Sequence, residues 1–530
     1  MRLKDLMPIQ FSAGACLFVC LASAVSWAQN PAATSSDTSL SDAVKQLQSQ
    51  IQQLQVAVQE IKQESERYRA ETLELKRELE STRQGLDTVH QTATAAQQEP
   101  ATEPGNIDNR VSKLEEEQQL LDSRVTEQYQ TKIESASKYR VRLSGLLLFN
   151  LFSNTGNVDH MEVPGVVLPS TLSLTSGNTG GSFAASFRQS QLGLEVYGPT
   201  FAGAKTRGDF VADFFGEFPE TVNGSAAGSL RLRTGTIHFD WERTSIVGGM
   251  DSIFFSPTYP TSFAALGNPA LSYSGNLWSW MPQLRVEHRL TSSENSALTL
   301  SGGILDPLTG ETPPNEWLRI PGAGESSRQP AYGTRLEWNH KIAGQLLTLG
   351  VGGYYSRQNW GFNRNVDGWA VNTDWNLPLG PLFGLSGKFY SGRAIGGLGA
   401  GVGRSIVFNS PSTCPASSPP LSCPQTAISA LRSTGGWAQF KFKPTTTFEI
   451  NTAAGQDGAD AADIRAFSPG LTPGYFAANI TRNRSEFVNF IYRPRSNLLF
   501  STEFRTLRTF TIEGNSLRAN QLNLIMGVFF

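Results

Sequence analysis

From Tyr139 onward, apolar and polar residues alternate in short runs separated by residues that favour turns. Successive side chains of a strand point to opposite faces, so each run reads as a strand with one apolar and one wetter face. The last run shows the pattern most cleanly. Leu522, Leu524, Met526, Val528 and Phe530 share one face, whereas Asn523 and Gly527 interrupt the other. Sixteen such runs fall at 139–153, 183–197, 202–216, 229–242, 243–250, 283–290, 295–304, 330–342, 344–357, 365–377, 381–394, 432–443, 445–456, 479–492, 495–508 and 515–530.

Their connections alternate in length. One set is tight: Gly198 to Ala202, Glu242-Arg243, Thr291 to Glu294, Ala343, Pro378 to Gly380, Pro444 and Arg493-Pro494. The other set is mostly long: 154–182, 217–228, 251–282, 305–329, 358–364, 395–431, 457–478 and 509–514. Tight turns alternating with long loops around an even number of amphipathic strands are the pattern of an outer-membrane barrel. The expected fold is an all-β transmembrane barrel of about 16 antiparallel strands. A terminal strand that ends on an aromatic residue, as at Phe530, resembles the last strand of such barrels and implies recognition by the barrel-assembly machinery. The even count places both barrel ends on the short-turn, periplasmic side.

A charge on the lipid face costs about 2–4 kcal/mol at the bilayer midplane, so the charged face of each run turns toward a watery lumen. The pore-lining candidates are Arg140, Arg142, Lys205, Arg207, Asp209, Arg285, Arg289, Arg335, Lys441, Lys443 and Arg505. Asp213, Glu287, Glu337 and Glu503 share those faces, which predicts weak selectivity. Two runs break parity. Arg231 and Arg233 fall with Ile237, Phe239 and Trp241, and Arg482 and Arg484 fall with Val488 and Phe490. A bulge or a position above the membrane rim accounts for either case. The connection 251–282 holds Phe254, Phe255, Tyr259, Phe263, Tyr273, Trp278 and Trp280. Folding it into the barrel would take these rings out of water, so it is the expected constriction.

The N-terminal part is a different kind of chain. Arg2 and Lys4 precede an apolar stretch from Phe11 to Val25, and Ser26-Trp27-Ala28 offers small residues for cleavage after Ala28. This reads as a secretory signal over 1–28, too short to span a bilayer. A disordered linker is expected over 29–39. Apolar residues then recur every seven positions over 40–89, at Val44, Ile51 and Val58 on one seam and Leu40, Leu47, Leu54 and Ile61 on the other. That repeat predicts an α-helical coiled coil in the periplasm, reaching roughly 75 Å at 1.5 Å per residue. A Pro- and Gly-containing linker follows over 90–106, then a second short coiled coil over 107–130. Ser65, Thr72 and Thr82 in the seam leave dimer and trimer both open.

Composition sharpens the division. The net charge of −2 conceals 30 basic and 26 acidic residues in 139–530, and the basic ones are 25 Arg and 5 Lys. Cys414 and Cys423 lie within one Pro- and Ser-rich stretch, and in an exported chain they are expected to form a local disulfide. Of the five histidines, His90 lies in the N-terminal stalk, His288 and His340 fall on the lipid-facing parity, and His160 and His238 have no evident Ser or acid partner, which argues against an enzyme. No metal cluster, phosphate-binding glycine loop or nucleic-acid motif is evident, so no cofactor is implied.

Phe187-Arg188-Gln189-Ser190-Gln191-Leu192-Gly193, Asp213-Phe214-Phe215-Gly216, Leu230-Arg231-Leu232-Arg233 and Gly248-Gly249-Met250 form consecutive landmarks. They resemble those of DcaP-like trimeric porins and the related phosphate-selective porins, as does a coiled coil ahead of the first strand. The resemblance implies a homotrimer with a periplasmic helical bundle and passage of small anionic solutes. There are departures. The connection 251–282 has Asp251 but no Lys or Arg, so a lysine-lined phosphate site is unsupported, and Met281-Pro282-Gln283 stands where the family has Arg-Gln. Arg188 matches an inward family arginine, yet local alternation sets it with Leu192 and Leu194. The leading expectation is a passive diffusion porin with mild anion preference. The alternative is a structural tether with a largely closed barrel, its stalk bound to peptidoglycan.

Overall fold

The structure, a computed structural model, describes residues 140–169, 180–216, 228–311, 319–409, 411, 413–414, 420–467 and 479–530. The expected signal peptide, the coiled coils over 40–89 and 107–130, and the linkers around them lie outside the described residues. Sixteen strands close into one antiparallel barrel. They are β1 (Val141–Thr155), β2 in two pieces (Gly181–Ser186 and Gln191–Tyr197), β3 (Lys205–Asp213), β4 (Arg231–Asp240), β5 (Thr244–Ser252), β6 (Trp280–Ser292), β7 (Ser296–Leu305) and β8 (Ala331–Ile342). There follow β9 (Gln345–Asn359), β10 (Asn365–Pro378), β11 (Phe383–Arg393), β12 (Arg432–Phe442), β13 (Phe448–Ala459), β14 (Ile480–Arg495), β15 (Leu498–Thr511) and β16 (Ser516–Phe529). A small ribbon, Ile406–Phe408 with Ile428–Ala430, decorates the β11–β12 connection.

Each strand pairs with its sequence neighbour, and β16 pairs with β1 in a register running from Leu146 opposite Phe529 to Thr155 opposite Asn520. The seam is finished by Phe530, whose backbone exchanges hydrogen bonds of 2.9 and 3.1 Å with Gly145. Gly145 is required there, because a Cβ would lie 2.3 Å from the Phe530 ring. Closure removes the free sheet edges that would otherwise need covering.

Period-two alternation sets the two faces of the wall. On β16, Gln521, Asn523, Ile525 and Gly527 are buried inside, while Leu522, Leu524, Met526 and Val528 are exposed outside. The same holds around the wall: Leu147, Ile237, Val351 and Phe389 are each more than half exposed on the outer face. One end has tight turns, including the two-residue turn Ala343-Gly344 with both φ values positive, the geometry of a type I′ hairpin. The other end carries the long connections 156–180, 214–230, 253–279, 306–330, 394–431 and 460–479. Among the described residues no helix is long and apolar enough to cross a membrane.

The irregular arginines have specific explanations. In β4, Leu232 pairs with Ala212 and Thr234 with Val211, so Arg233 is an extra, bulged residue. One inserted residue reverses parity, which turns Arg231 and Arg233 inward although Ile237 and Phe239 face out. Arg482 and Arg484 face outward, alongside Val488 and Phe490, near the long-loop end of β14. Arg188 sits in the break between the two pieces of β2, where the chain leaves the ladder and parity no longer applies.

Candidate functional site

The connection between β5 and β6 runs over 253–279, shorter than 251–282 because Asp251 still belongs to β5 and Trp280 to Met281 to β6. It folds inside the barrel. Ile253, Phe254 and Phe255 pack with Leu305, Ala331, Tyr354, Ala370 and Tyr390 of one wall, and Phe255 stacks on Tyr354 at 5.3 Å. Ala265, Ala270 and Leu271 pack against Trp437, Ala453 and Phe487 of the adjoining wall. Ala264, with Phe263 alongside, meets Leu146, Leu148, Ile491 and Ile525 near the closing seam. Burial of these groups gives the hydrophobic drive for the loop to enter. Gly352 permits its closest approach: a Cβ there would lie 2.1 Å from the Phe255 carbonyl oxygen.

A loop inside a barrel must find partners for its backbone. The inner wall supplies them. Lys388, fully buried on β11, donates to the Ser256 carbonyl at 2.9 Å, the Leu277 carbonyl at 3.0 Å and Asn276 Oδ1 at 3.2 Å. All three ammonium donors are thereby used. Asn372 donates to the Phe255 carbonyl at 3.0 Å, and Asn489 to the Thr261 carbonyl at 2.8 Å. Gln189 accepts from the Leu266 and Gly267 amides and donates to the Ala264 carbonyl. Loop hydroxyls answer in turn: Thr258 donates to Asp374 at 2.7 Å and Ser262 to Glu503 at 2.5 Å. Arg231 and Arg233 donate to the Gly267 and Leu266 carbonyls, and both pair with Asp213, which is fully buried.

Nearer the long-loop end, further connections fill the interior. Leu398 and Ala400 of the β11–β12 connection are buried, and the Trp278 amide donates to the Leu398 carbonyl at 3.1 Å. Asp457 accepts from Tyr390 at 2.5 Å and from the Gly401 and Val402 amides. Glu162 of the β1–β2 connection pairs with Arg188 at 2.7 Å, both buried.

The half of the barrel toward the short turns is different. Its inner wall is charged and partly exposed. Arg142 pairs with Glu195 at 3.9 Å, and Arg207 with Asp209 at 2.6 Å and Asp240 at 3.2 Å. Arg285 pairs with Glu287 at 2.7 Å and Asp251 at 2.8 Å, and Lys441 with Glu449 at 3.1 Å. His238 lies 2.9 Å from Asp209 and also contacts Arg207 and Thr236, so it is built into this ionic lattice. Arg140, Lys205, Arg289 and Lys443 have no ion-pair partner among the described residues. A cavity of about 640 Å3 lies beneath the inserted loop, lined by Thr258, Tyr259, Gln439, Lys441 and Lys443.

The eleven charged candidates therefore divide. Arg335 and Arg505 are inside but almost fully buried. Arg335 is clamped to Asp374 at 2.6 Å and Glu337 at 2.9 Å, and Arg505 to Glu503 at 2.7 Å. They brace wall and loop and do not reach open lumen. Arg140, Arg142, Lys205, Arg207, Asp209, Arg285, Arg289, Lys441 and Lys443 surround the charged half. Sequence reasoning missed Lys388, whose alternation with Leu385, Phe389 and Ser391 already marked it as inward. It also missed Asp374 and Asp457, each the second acid of its strand after Asp367 and Glu449. Cys414 and Cys423 are disulfide-bonded in the β11–β12 connection.

No family model matches the chain, and no curated protein matches it. Among solved structures it is similar to the outer membrane channel DcaP of Acinetobacter baumannii, with 16% identity, 76% of this chain and 100% of that chain covered, and a TM-score of 0.55. An anion-selective porin from Comamonas acidovorans matches at 9% identity over 74% of this chain and 100% of its own, with a TM-score of 0.46. OprB of Pseudomonas putida matches at 10% identity over 74% and 94%, with a TM-score of 0.44. The likeness to DcaP is one of fold: a sixteen-stranded antiparallel barrel.

Proposed function

We propose that this chain is an outer-membrane channel through which small hydrophilic solutes diffuse passively, with a mild preference for anions. One observation carries the preference. In the short-turn half, the seven inner-wall carboxylates Glu195, Asp209, Asp240, Asp251, Glu287, Glu337 and Glu449 each have a cationic partner, with Arg207 and Arg285 serving two each, whereas Arg140, Lys205, Arg289 and Lys443 have no carboxylate partner among the described residues. Cations without a carboxylate partner on a confined wall raise the local anion concentration. Pairing elsewhere keeps the net field small. The inserted loop acts as the constriction, fixed by wall contacts on both sides. The apolar outer face suits lipid, and the signal-like N-terminus suits export.

In this reading the heptads over 40–89 hold three copies together in the periplasm, and the strand ending at Phe530 is the segment that the barrel-assembly machinery engages. The filled long-loop half favours one competing reading, a closed barrel that tethers the membrane to peptidoglycan through the stalk. Planar-bilayer recording separates the two. The expected result is a steady conductance whose reversal potential in a salt gradient has the sign of anion preference. Cation preference would refute the selectivity argument, and absence of conductance would favour the tether.

A further inference from the structure

On the outer face of β14–β16, toward the long-loop end, four arginines lie side by side. Arg484 is directly opposite Arg508, and Arg508 directly opposite Arg518. Arg482 is one step further along β14, its guanidinium 4.0 Å from the centre of the Phe510 ring. All four are exposed. Directly opposed residues lie ~5 Å apart, and like charges in that position repel. No carboxylate lies within ion-pair distance of any of them among the described residues. Arg484 has a neutral partner, donating to Gln456 at 2.8 Å. The nearest acid on this face is Glu486, one step toward the short turns and opposite Ala454 and Thr506. Four cations thus face one anion on a surface that, four residues below the arginine row, carries Val488, Phe504 and Leu522.

Beside this row the wall is hollowed. A groove of about 630 Å3 has Gly436, Ala438 and Ala454 as its floor, Trp375 and Phe389 along one side, and Arg484 with Glu486 along the other. An apolar groove with a guanidinium group of the arginine row on its rim fits a chain with a phosphate at its end. Guanidinium groups bind phosphate through paired, planar hydrogen bonds, which an ammonium group does not match. Every outward-facing strand cation in the long-loop half is an arginine: Arg357, Arg393, Arg432, Arg482, Arg484, Arg508 and Arg518. A second copy of this chain would be a poor occupant. The outer faces of the described strands offer only Asp367 and Glu486 as carboxylates, and Asp367 already lies 3.9 Å from Arg357.

We propose that this face seats a phosphorylated lipid of the outer leaflet, with its phosphates on Arg484, Arg508 and Arg518 and an acyl chain in the groove floored by Gly436, Ala438 and Ala454. The inference rests on the membrane reading above but not on conductance. The test uses the full chain in nanodiscs of neutral phosphatidylcholine, doped with a radiolabelled diphosphorylated glucosamine-disaccharide lipid. Lipid that stays with the protein through affinity purification is counted for the unchanged chain and for Arg484→Gln/Arg508→Gln/Arg518→Gln. Heat-modifiable gel migration checks that both are folded.

At least tenfold lower retention by the triple variant is expected, with partial recovery in the matching Arg→Lys variant. Equal retention would overturn the proposal. So would full displacement of the lipid by millimolar inorganic phosphate, which would mark a free-phosphate site. A change in oligomer size with lipid retention unaltered would assign the face to a contact between copies and would overturn it too. Failure of the unchanged chain to enter nanodiscs would refute the membrane reading itself, and this inference with it.

Discussion

Lys388→Met tests the anchoring of the inserted loop most directly. The substitution keeps the length of the side chain and removes its charge. It orphans three acceptors, the Ser256 and Leu277 carbonyls and Asn276 Oδ1. A buried group that loses its partner costs about 1–3 kcal/mol, so the gross loss is roughly 3–9 kcal/mol. Against this, the variant no longer desolvates an ammonium group, a cost of several kcal/mol in a protein interior. The net weakening is about 3 kcal/mol, and at 1.4 kcal/mol per tenfold the loop's released population rises roughly 100-fold. The sixteen-strand ladder does not depend on Lys388, so the barrel itself remains folded. The assay places Ser256→Cys in both backgrounds, since Ser256 is fully buried and its hydroxyl has no partner. Thiol labelling at position 256 is expected to accelerate by about two orders of magnitude in Lys388→Met, with larger and noisier current steps in bilayers. Equal labelling rates and identical current traces would show that the ammonium group holds nothing in place.

Two further outcomes follow from the seam and the disulfide. Deleting Phe530 removes two backbone hydrogen bonds to Gly145, worth about 1 kcal/mol each, at the point of closure. Lower yield of folded barrel with unchanged conductance per channel is expected, and Gly145→Val should act the same way by displacing the Phe530 ring; normal yield in both would refute this account of the seam. The Cys414–Cys423 bridge spans a sequence separation of 9, and chain-entropy arguments give a loop of that size about 3 kcal/mol of local restraint. Replacing both cysteines by serine should speed proteolysis around 411–427 and leave barrel unfolding in urea unchanged; a lower urea midpoint would show that the bridge supports the wall.

The readable part of this chain is the part governed by local periodicity. Alternation such as Leu522, Leu524, Met526 and Val528 against Asn523 and Gly527 needs only the pleat of one strand to assign its faces. Turn lengths likewise assign the two ends of the barrel. Reading failed where a single residue departs from the ladder. Arg233 is one extra residue, and it inverts the faces of everything before it in β4. Arg188 occupies a break that separates β2 into two pieces, so its neighbours' parity says nothing about it. Bulges and breaks are set by the partner strand and by what the freed side chain can reach, here Asp213 and Glu162, and both partners are distant in sequence.

The sequence by itself determined that the chain forms amphipathic strands, how many, which face of most of them is apolar, and which connections are long. These follow from side-chain chemistry repeated at a fixed local period. Only the tertiary structure decided which inward charges stay in open lumen and which brace the loop. Arg289 and Arg335 have the same parity and the same chemistry, yet one is exposed near the short turns and the other is sealed between Asp374, Glu337 and the Phe255 carbonyl. The difference is where a 27-residue loop comes to rest inside the barrel. That position is fixed by contacts to walls as far apart in sequence as Lys388 and Asn489, which no local pattern encodes.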